Sequence, residues 1–220
     1  KPIGKYKVHQ GYGSSPMVFG NIVVVKADTK IGGVICGLDK KTGREIWRHD
    51  RPKIPNYTTP VVIESAGKQQ MVFCGCELIT SLDPLTGKKL WEVAGSTQEC
   101  VSTIVTDGIH VFVSGGWPKN HTAAIVADGS GRVAWKNSAR VYVPSMLIRN
   151  DFLYVTMDAG FAICWNAKSG EEQWKERLGG TFYTSPVMVG NRIYGTNLSG
   201  KTFVFEANPN EFKLIAANQL

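Results

Sequence analysis

An eleven-residue phrase recurs along this chain of 220 residues and restricts its fold more than any other feature. Gly37-Leu38-Asp39-Lys40-Lys41-Thr42-Gly43-Arg44-Glu45-Ile46-Trp47 returns as Ser81-Leu82-Asp83-Pro84-Leu85-Thr86-Gly87-Lys88-Lys89-Leu90-Trp91. Trp91 lies 44 residues after Trp47, Trp135 another 44 on, and Trp174 a further 39. A period of about 40 residues with no helical spacing of apolar positions describes an array of β units. Each unit is too small to bury its own hydrophobic face and is completed by its neighbours.

A second phrase runs in step with the first. Ser15-Pro16-Met17-Val18, Thr59-Pro60-Val61-Val62 and Ser185-Pro186-Val187-Met188 each open an apolar run. Ser102-Thr103-Ile104-Val105 and Pro144-Ser145-Met146-Leu147 are weaker copies. Together the phrases mark five units, near 14–50, 58–95, 101–138, 143–178 and 184–216. In the fourth, Met146-Leu147-Ile148 reads as a buried strand and Arg149-Asn150-Asp151 as a turn. Phe152–Thr156, Phe161–Trp165 and Glu172–Lys175 read as three more strands, separated by Asp158-Ala159-Gly160 and Lys168-Ser169-Gly170. Four short antiparallel strands per repeat describe one blade of an all-β propeller. A β-sandwich gives no reason for a Gly-x-x-x-Trp phrase at constant spacing, and a parallel solenoid has much shorter coils. The Thr-Gly turn leaves its peptide uncovered by a Cβ, so a neighbouring aromatic ring can lie on it. The tryptophan four residues later is the candidate, aimed at the next blade, while Asp39 or Asp83 accepts hydrogen bonds from the turn amides.

The pattern small-x-Asp-x-x-Thr-Gly-x-x-x-Trp resembles the tryptophan-docking motif of quinoprotein-type, or pyrroloquinoline quinone (PQQ)-like, β-propellers. Asp39, Gly43 and Trp47 match it, as do Asp83, Gly87 and Trp91. In the third copy Gly131 and Trp135 keep their spacing, but Ala127 takes the Asp position and Asp128 follows it. In the fourth, Gly170 and Trp174 stand with Asn166 for Asp and Ser169 for Thr. The fifth, Val204–Phe212, places Phe212 where a tryptophan is expected. The resemblance spans essentially the whole chain and implies seven or eight blades, of which five are visible. It is similar both to the scaffold lipoproteins of outer-membrane barrel assembly and to PQQ-dependent alcohol dehydrogenases, and it extends to sensor ectodomains. It therefore implies a fold and an extracytoplasmic, periplasmic setting rather than one activity.

Residues 1–10, around Lys5-Tyr6-Lys7-Val8-His9, read as a surplus outer strand, while Phe212–Ala216 supply the fifth unit's own fourth strand. Either Tyr6–Val8 adds to a closing blade or the chain is a piece of a longer protein. The second is the expectation, because an open array exposes two sheet edges. The net charge of +7 is spread over turns (Lys40, Lys41, Arg44, Lys88, Lys89, Lys168) as a solvated rim. No basic cluster interleaved with stacking aromatics appears, so nucleic acid is not an expected partner. No apolar stretch is long enough for a transmembrane helix. The five cysteines (36, 74, 76, 100 and 164) are dispersed and odd in number, which does not read as a disulfide framework.

Candidate sites are few. Cys74-Gly75-Cys76 could turn both sulfurs to one face of a strand, but zinc needs four ligands and no second pair is spaced to supply them. Burial as small core residues is the plainer reading, and no metal site is expected. The histidines (9, 49, 110 and 121) are scattered, and no Gly-x-Ser-x-Gly, phosphate loop or His-Glu-x-x-His occurs. No catalytic residues are assigned. PQQ alcohol dehydrogenases carry a disulfide between adjacent cysteines, and this chain has no Cys-Cys pair. A positional signal remains: Tyr12, Tyr57, Tyr142 and Tyr183 fall just before the blade starts, with Arg51 and Arg140 close by. If the innermost strand begins at the Ser/Thr-Pro phrase, they line one mouth of the central channel. Phenols beside cations suit a carbohydrate, quinone or peptide, although tyrosines there can also simply pack between blades. Trp117, in Gly115-Gly116-Trp117-Pro118, is a second exposed-aromatic candidate for partner anchoring.

The sequence thus points to a PQQ-like β-propeller acting as a non-catalytic scaffold of the bacterial cell envelope, holding a protein or glycan with no cofactor. The alternative is a PQQ-dependent dehydrogenase of alcohols or polymer alcohols. It would need a quinone, a Ca²⁺ held by Glu, Asn and Asp oxygens, and an Asp base.

Overall fold

The computed structural model describes residues 10–220. The expected surplus strand at 1–10 therefore lies, but for Gln10, outside the described residues. Twenty strands form five separate four-stranded sheets, and no helix is present among the described residues. The first sheet holds β1 (Met17–Phe19), β2 (Ile22–Ala27), β3 (Gly33–Asp39) and β4 (Glu45–Arg51). The second holds β5 (Val61–Ser65), β6 (Lys68–Gly75), β7 (Leu78–Leu82) and β8 (Lys89–Ala94). The third holds β9 (Val105–Thr106), β10 (His110–Gly115), β11 (His121–Val126) and β12 (Val133–Asn137). The fourth holds β13 (Leu147–Arg149), β14 (Phe152–Thr156), β15 (Phe161–Asn166) and β16 (Glu172–Arg177). The fifth holds β17 (Val187–Val189), β18 (Arg192–Thr196), β19 (Lys201–Glu206) and β20 (Leu214–Gln219). Each is an antiparallel meander in chain order, the architecture of propeller blades.

Local chemistry sets the turns. The β13–β14 turn is narrower than the sequence suggests: Arg149 stays in the ladder opposite Phe152. Only Asn150 and Asp151 turn, both with positive φ (49° and 65°), as the right-handed strand twist demands of a two-residue hairpin. The outer strand of the fifth sheet begins at Leu214 rather than Phe212. Phe212 instead packs edge-on against Trp174, with ring centroids 5.3 Å apart.

Strand alternation places apolar residues on both faces, so each pair of consecutive sheets shares a core. Ile22, Val24 and Ile35 meet Met71, Phe73 and Leu82 between the first and second sheets. Val72 and Ile79 meet Val111, Val113 and Ile125 between the second and third. Phe112, one residue along β10, points the other way, into a core with Leu153, Val155 and Ile163. Tyr154 and Cys164 meet Ile193 and Phe205 between the fourth and fifth.

The tryptophans connect the sheets in one direction. The ring of Trp47 lies on Gly87 of the second sheet, where a Cβ would come within 2.6 Å of it. The ring of Trp135 lies on Gly170 of the fourth sheet at the same 2.6 Å. Trp135 Nε1 donates to the Ala167 carbonyl (2.7 Å), and Trp174 Nε1 to the Asn208 carbonyl (2.7 Å). The second sheet inserts a relay: Trp91 Nε1 donates to Gln70 Oε1 (2.6 Å), and Gln70 Nε2 donates to the Ala127 carbonyl of the third sheet (2.7 Å).

The third copy of the phrase has a different register from the one its sequence suggests. Asp39 N donates to the Arg44 carbonyl, but Val126 N donates to the Arg132 carbonyl, across a turn longer by one residue. Val126, not Ala127, therefore stands where Asp39 stands. Valine cannot cap, and Asp128 takes over by accepting the Ser130 amide at 2.8 Å. In the fifth unit Glu206 N pairs with the Lys213 carbonyl, a turn longer by two, and Asn208 accepts the Asn210 amide.

Gly43 and Gly87 separate backbone strain from ring contact, because both have positive φ (69° and 71°) but only Gly87 carries a tryptophan. Gly43→Ala should cost about 1–2 kcal/mol, the left-handed penalty alone. Gly87→Ala should cost at least about 1 kcal/mol more, because the Trp47 ring must shift. Urea unfolding of the two variants compares them, and equal losses would mean that the ring contact contributes nothing.

Candidate functional site

In a four-stranded meander the connections alternate between two ends. The links β2–β3, β4–β5, β6–β7, β8–β9, β10–β11, β12–β13 and β16–β17 share one end, opposite the Thr-Gly turns. Tyr12, Arg51, Tyr57, Trp117, Arg140, Tyr142 and Tyr183 all belong to that end, but the structure divides them into separate groups.

One group surrounds Glu99. Tyr142 Oη donates to Glu99 Oε2 at 2.9 Å, while the Tyr142 amide donates to Asp158 Oδ2 at 2.8 Å. The Arg140 guanidinium sits 5.4 Å from the Tyr142 ring centroid. Burial first, and then the Glu99 carboxylate, push the Tyr142 phenol well above its ordinary value, so it remains a neutral donor. Tyr57 is buried against Gly13, and burial followed by Glu99 raises its phenol as well. Glu99 N donates to the Trp117 carbonyl at 3.0 Å, and Thr97 Oγ1 donates to the same oxygen. The Trp117 side chain is nevertheless 56% exposed, so a pinned backbone presents a free indole. Beside it runs a cleft of about 290 Å³ lined by Glu77, Gln98, Lys119, Asn120 and His121, among others. His121 Nε2 is buried without a hydrogen-bond partner among the described residues. Burial, with Lys136 adding to it, lowers the His121 pKa, so the ring is neutral at pH 7.

Arg51 belongs to a second, enclosed group. Its Nε donates to Asp28 Oδ1 at 2.6 Å, and Lys26 Nζ meets Asp28 Oδ2 at 2.8 Å. Lys26 is fully buried and also donates to Asn56 Oδ1 (2.9 Å) and the Thr58 carbonyl (3.0 Å). Arg51 further stacks 4.7 Å from the Phe73 ring centroid. Burial lowers the Lys26 pKa. Burial alone would raise Asp28, but Lys26 and Arg51 outweigh it and hold the carboxyl below its ordinary value. Cys76, next to this trio, is pushed up to about 12, mainly by burial and then by Asp28, and is no nucleophile at neutral pH. Arg51 is therefore not a mouth-lining cation available to a ligand, because its charge is spent on Asp28. Tyr12 (46% exposed) lies toward Asp28 and Cys36, whereas Tyr183 is exposed on the fifth sheet beside the buried Phe182.

Sequence reasoning missed Lys26 and Asp28. Two charges at i and i+2, closing the apolar run Ile22-Val23-Val24-Val25, were the available signal, because both must point to one face.

The family model described as outer membrane protein assembly factor BamB matches residues 4–160 and 119–208. Among solved structures, BamB from Moraxella catarrhalis superposes with a TM-score of 0.71 at 16% identity, over 93% of this chain and 63% of that one. A europium-containing methanol dehydrogenase gives 0.71 at 11% identity, over 95% and 51%. The quinohemoprotein alcohol dehydrogenase from Comamonas testosteroni gives 0.69 at 14% identity, over 96% and 43%. The chain thus spans between about two fifths and two thirds of the length of these neighbours, and the likeness shows the fold. No curated protein matches its sequence.

Asp28→Asn leaves two buried cations without a counter-charge and should cost about 3–5 kcal/mol in urea unfolding at pH 7. In the wild type the folded carboxyl titrates below its unfolded value of about 3.9. Its stabilisation is therefore complete above that pH and is lost as pH falls through the folded value. The unfolding free energy should decline below about pH 4, and less steeply in the variant.

Proposed function

The chain belongs to the family of outer membrane protein assembly factor BamB, and from that premise we propose a non-catalytic docking propeller of the bacterial envelope. It holds a protein partner on the face that carries Trp117. The observation that supports this most is the Trp117 indole itself, exposed on a backbone held by Glu99 and Thr97 next to a polar cleft. A large aromatic surface on an immobilised loop loses little entropy on binding and is the commonest kind of interface anchor. Gln98, Lys119 and Asn120 would form the polar rim around it. The periplasmic setting follows from the same reading.

The described residues do not fit the quinone-and-calcium centre of the dehydrogenase alternative. Calcium needs several carboxylate or carbonyl oxygens converging on one point. Here Asp28 is neutralised by Lys26 and Arg51, Asp158 caps the amides of Tyr142 and Val143, and Glu99 accepts Tyr142. No group of three or more acidic, cysteine or histidine side chains converges among the described residues.

A photo-crosslinking side chain placed at position 117 in cells should yield a discrete adduct with an outer-membrane assembly protein. The same probe at the exposed outer-strand position Gln173 should not. Adducts from 173 alone would move the partner to the blade edges and overturn this reading. So would a saturable melting shift of the purified chain with PQQ and Ca²⁺, accompanied by dye reduction on adding alcohols.

A further inference from the structure

Two of the five buried cysteines are neighbours in space, though 26 residues apart in sequence. Cys74 is the penultimate residue of β6 and Cys100 lies in the link from β8 to β9. Both have no exposed surface and share the core between the second and third sheets. The segment Tyr57-Thr58 ties their backbones together. The Tyr57 amide donates to the Cys100 carbonyl at 3.2 Å, and Thr58 Oγ1 donates to the Cys74 carbonyl at 2.7 Å. Gly115 leaves the space that the Cys100 sulfur occupies, since a Cβ there would come within 2.7 Å of it. The two thiols lie close enough to perturb one another's protonation.

We propose that Cys74 and Cys100 close a disulfide that staples the second sheet to the third when the chain folds in an oxidising compartment. In the chain before docking, the thiolate of one of the two cysteines displaces one thiol from an external disulfide such as oxidised glutathione, forming a mixed disulfide. The other cysteine then displaces the second thiol. Two S–H bonds are lost from the protein, one S–S bond forms, and the external disulfide leaves as two thiols carrying the two protons and two electrons. Because both sulfurs are enclosed in the finished core, the exchange takes place before the second sheet docks on the third. The remaining cysteines have other surroundings. Cys36 and Cys164 lie in other cores, and Cys76 turns its thiol to the Ile54 carbonyl at 3.4 Å.

The test is to fold the chain in a mixture of reduced and oxidised glutathione, block free thiols with N-ethylmaleimide in denaturant, and digest without reductant for tandem mass spectrometry. The expected product is one cross-linked peptide pair joining Cys74 to Cys100, with Cys36, Cys76 and Cys164 alkylated. The same bridge should persist in Cys76→Ser, which removes the nearest competitor. Dithiothreitol should lower the melting temperature of the wild type by about 6–12 °C, from the loop closed by the bridge, and leave Cys74→Ser unchanged. Five alkylated cysteines in the folded wild type, or a bridge that includes Cys36, Cys76 or Cys164, would overturn the proposal. Neither result bears on the docking reading.

Discussion

A tryptophan ring lying on the bare peptide of the next sheet is the contact on which the rest of this structure depends. Trp47 on Gly87 and Trp135 on Gly170 each require a residue without a Cβ below the ring and a tight turn to hold that residue in place. The turn in turn requires an acceptor for its exposed amides, which Asp39, Asp83 and Asn166 supply. One short phrase therefore carries the cap, the bare turn and the ring, and sets the spacing of one sheet from the next. The apolar cores between sheets fill the space that spacing defines. Where the phrase decays other groups take over: Asp128 caps two residues after Val126, Gln70 carries the Trp91 indole to the third unit's Ala127 carbonyl, and Phe212 packs edge-on against Trp174.

The opposite end of the sheets follows a different logic. There the polar side chains largely satisfy one another. Asp28 neutralises two buried cations, Glu99 holds Tyr142, and Asp158 anchors two backbone amides. Such networks fix loop positions at a considerable desolvation cost, although Tyr57 Oη and His121 Nε2 stay without a partner among the described residues. What this end offers to solvent is an exposed indole beside a polar cleft.

The fold was legible because its information is local and repeated. The phrases at 37–47 and 81–91, with their copies, carry the number of units, the number of strands per unit and the forward direction of each ring. Register in the third unit was not legible. Val126 and Ala127 are both small apolar residues, and only the Val126 to Arg132 pairing shows which one replaces Asp39. The candidate site was less legible still. Tyr142, Glu99, Arg140 and Trp117 come from three different links, and no spacing rule relates them. Arg51 looked like a mouth cation because its partner, Asp28, lies 23 residues earlier, just past the end of β2. The relation between Cys74 and Cys100 is likewise invisible until residues 57 and 58 draw them together.

The hydroxyls of the second phrase carry a further consequence. Ser15 N donates to Thr59 Oγ1, Thr103 N to Ser145 Oγ, and Ser145 N to Ser185 Oγ, at 2.9, 2.9 and 3.0 Å. These amides and the indoles reach forward, to groups supplied by the sheet made next, while the apolar faces depend on both neighbours. A sheet emerging from the ribosome therefore waits for its successor to answer its amide and carry its ring. A sheet lost late in the chain leaves the one before it with an unanswered amide and an uncovered ring, and a sheet lost early bares the apolar face of the one after it.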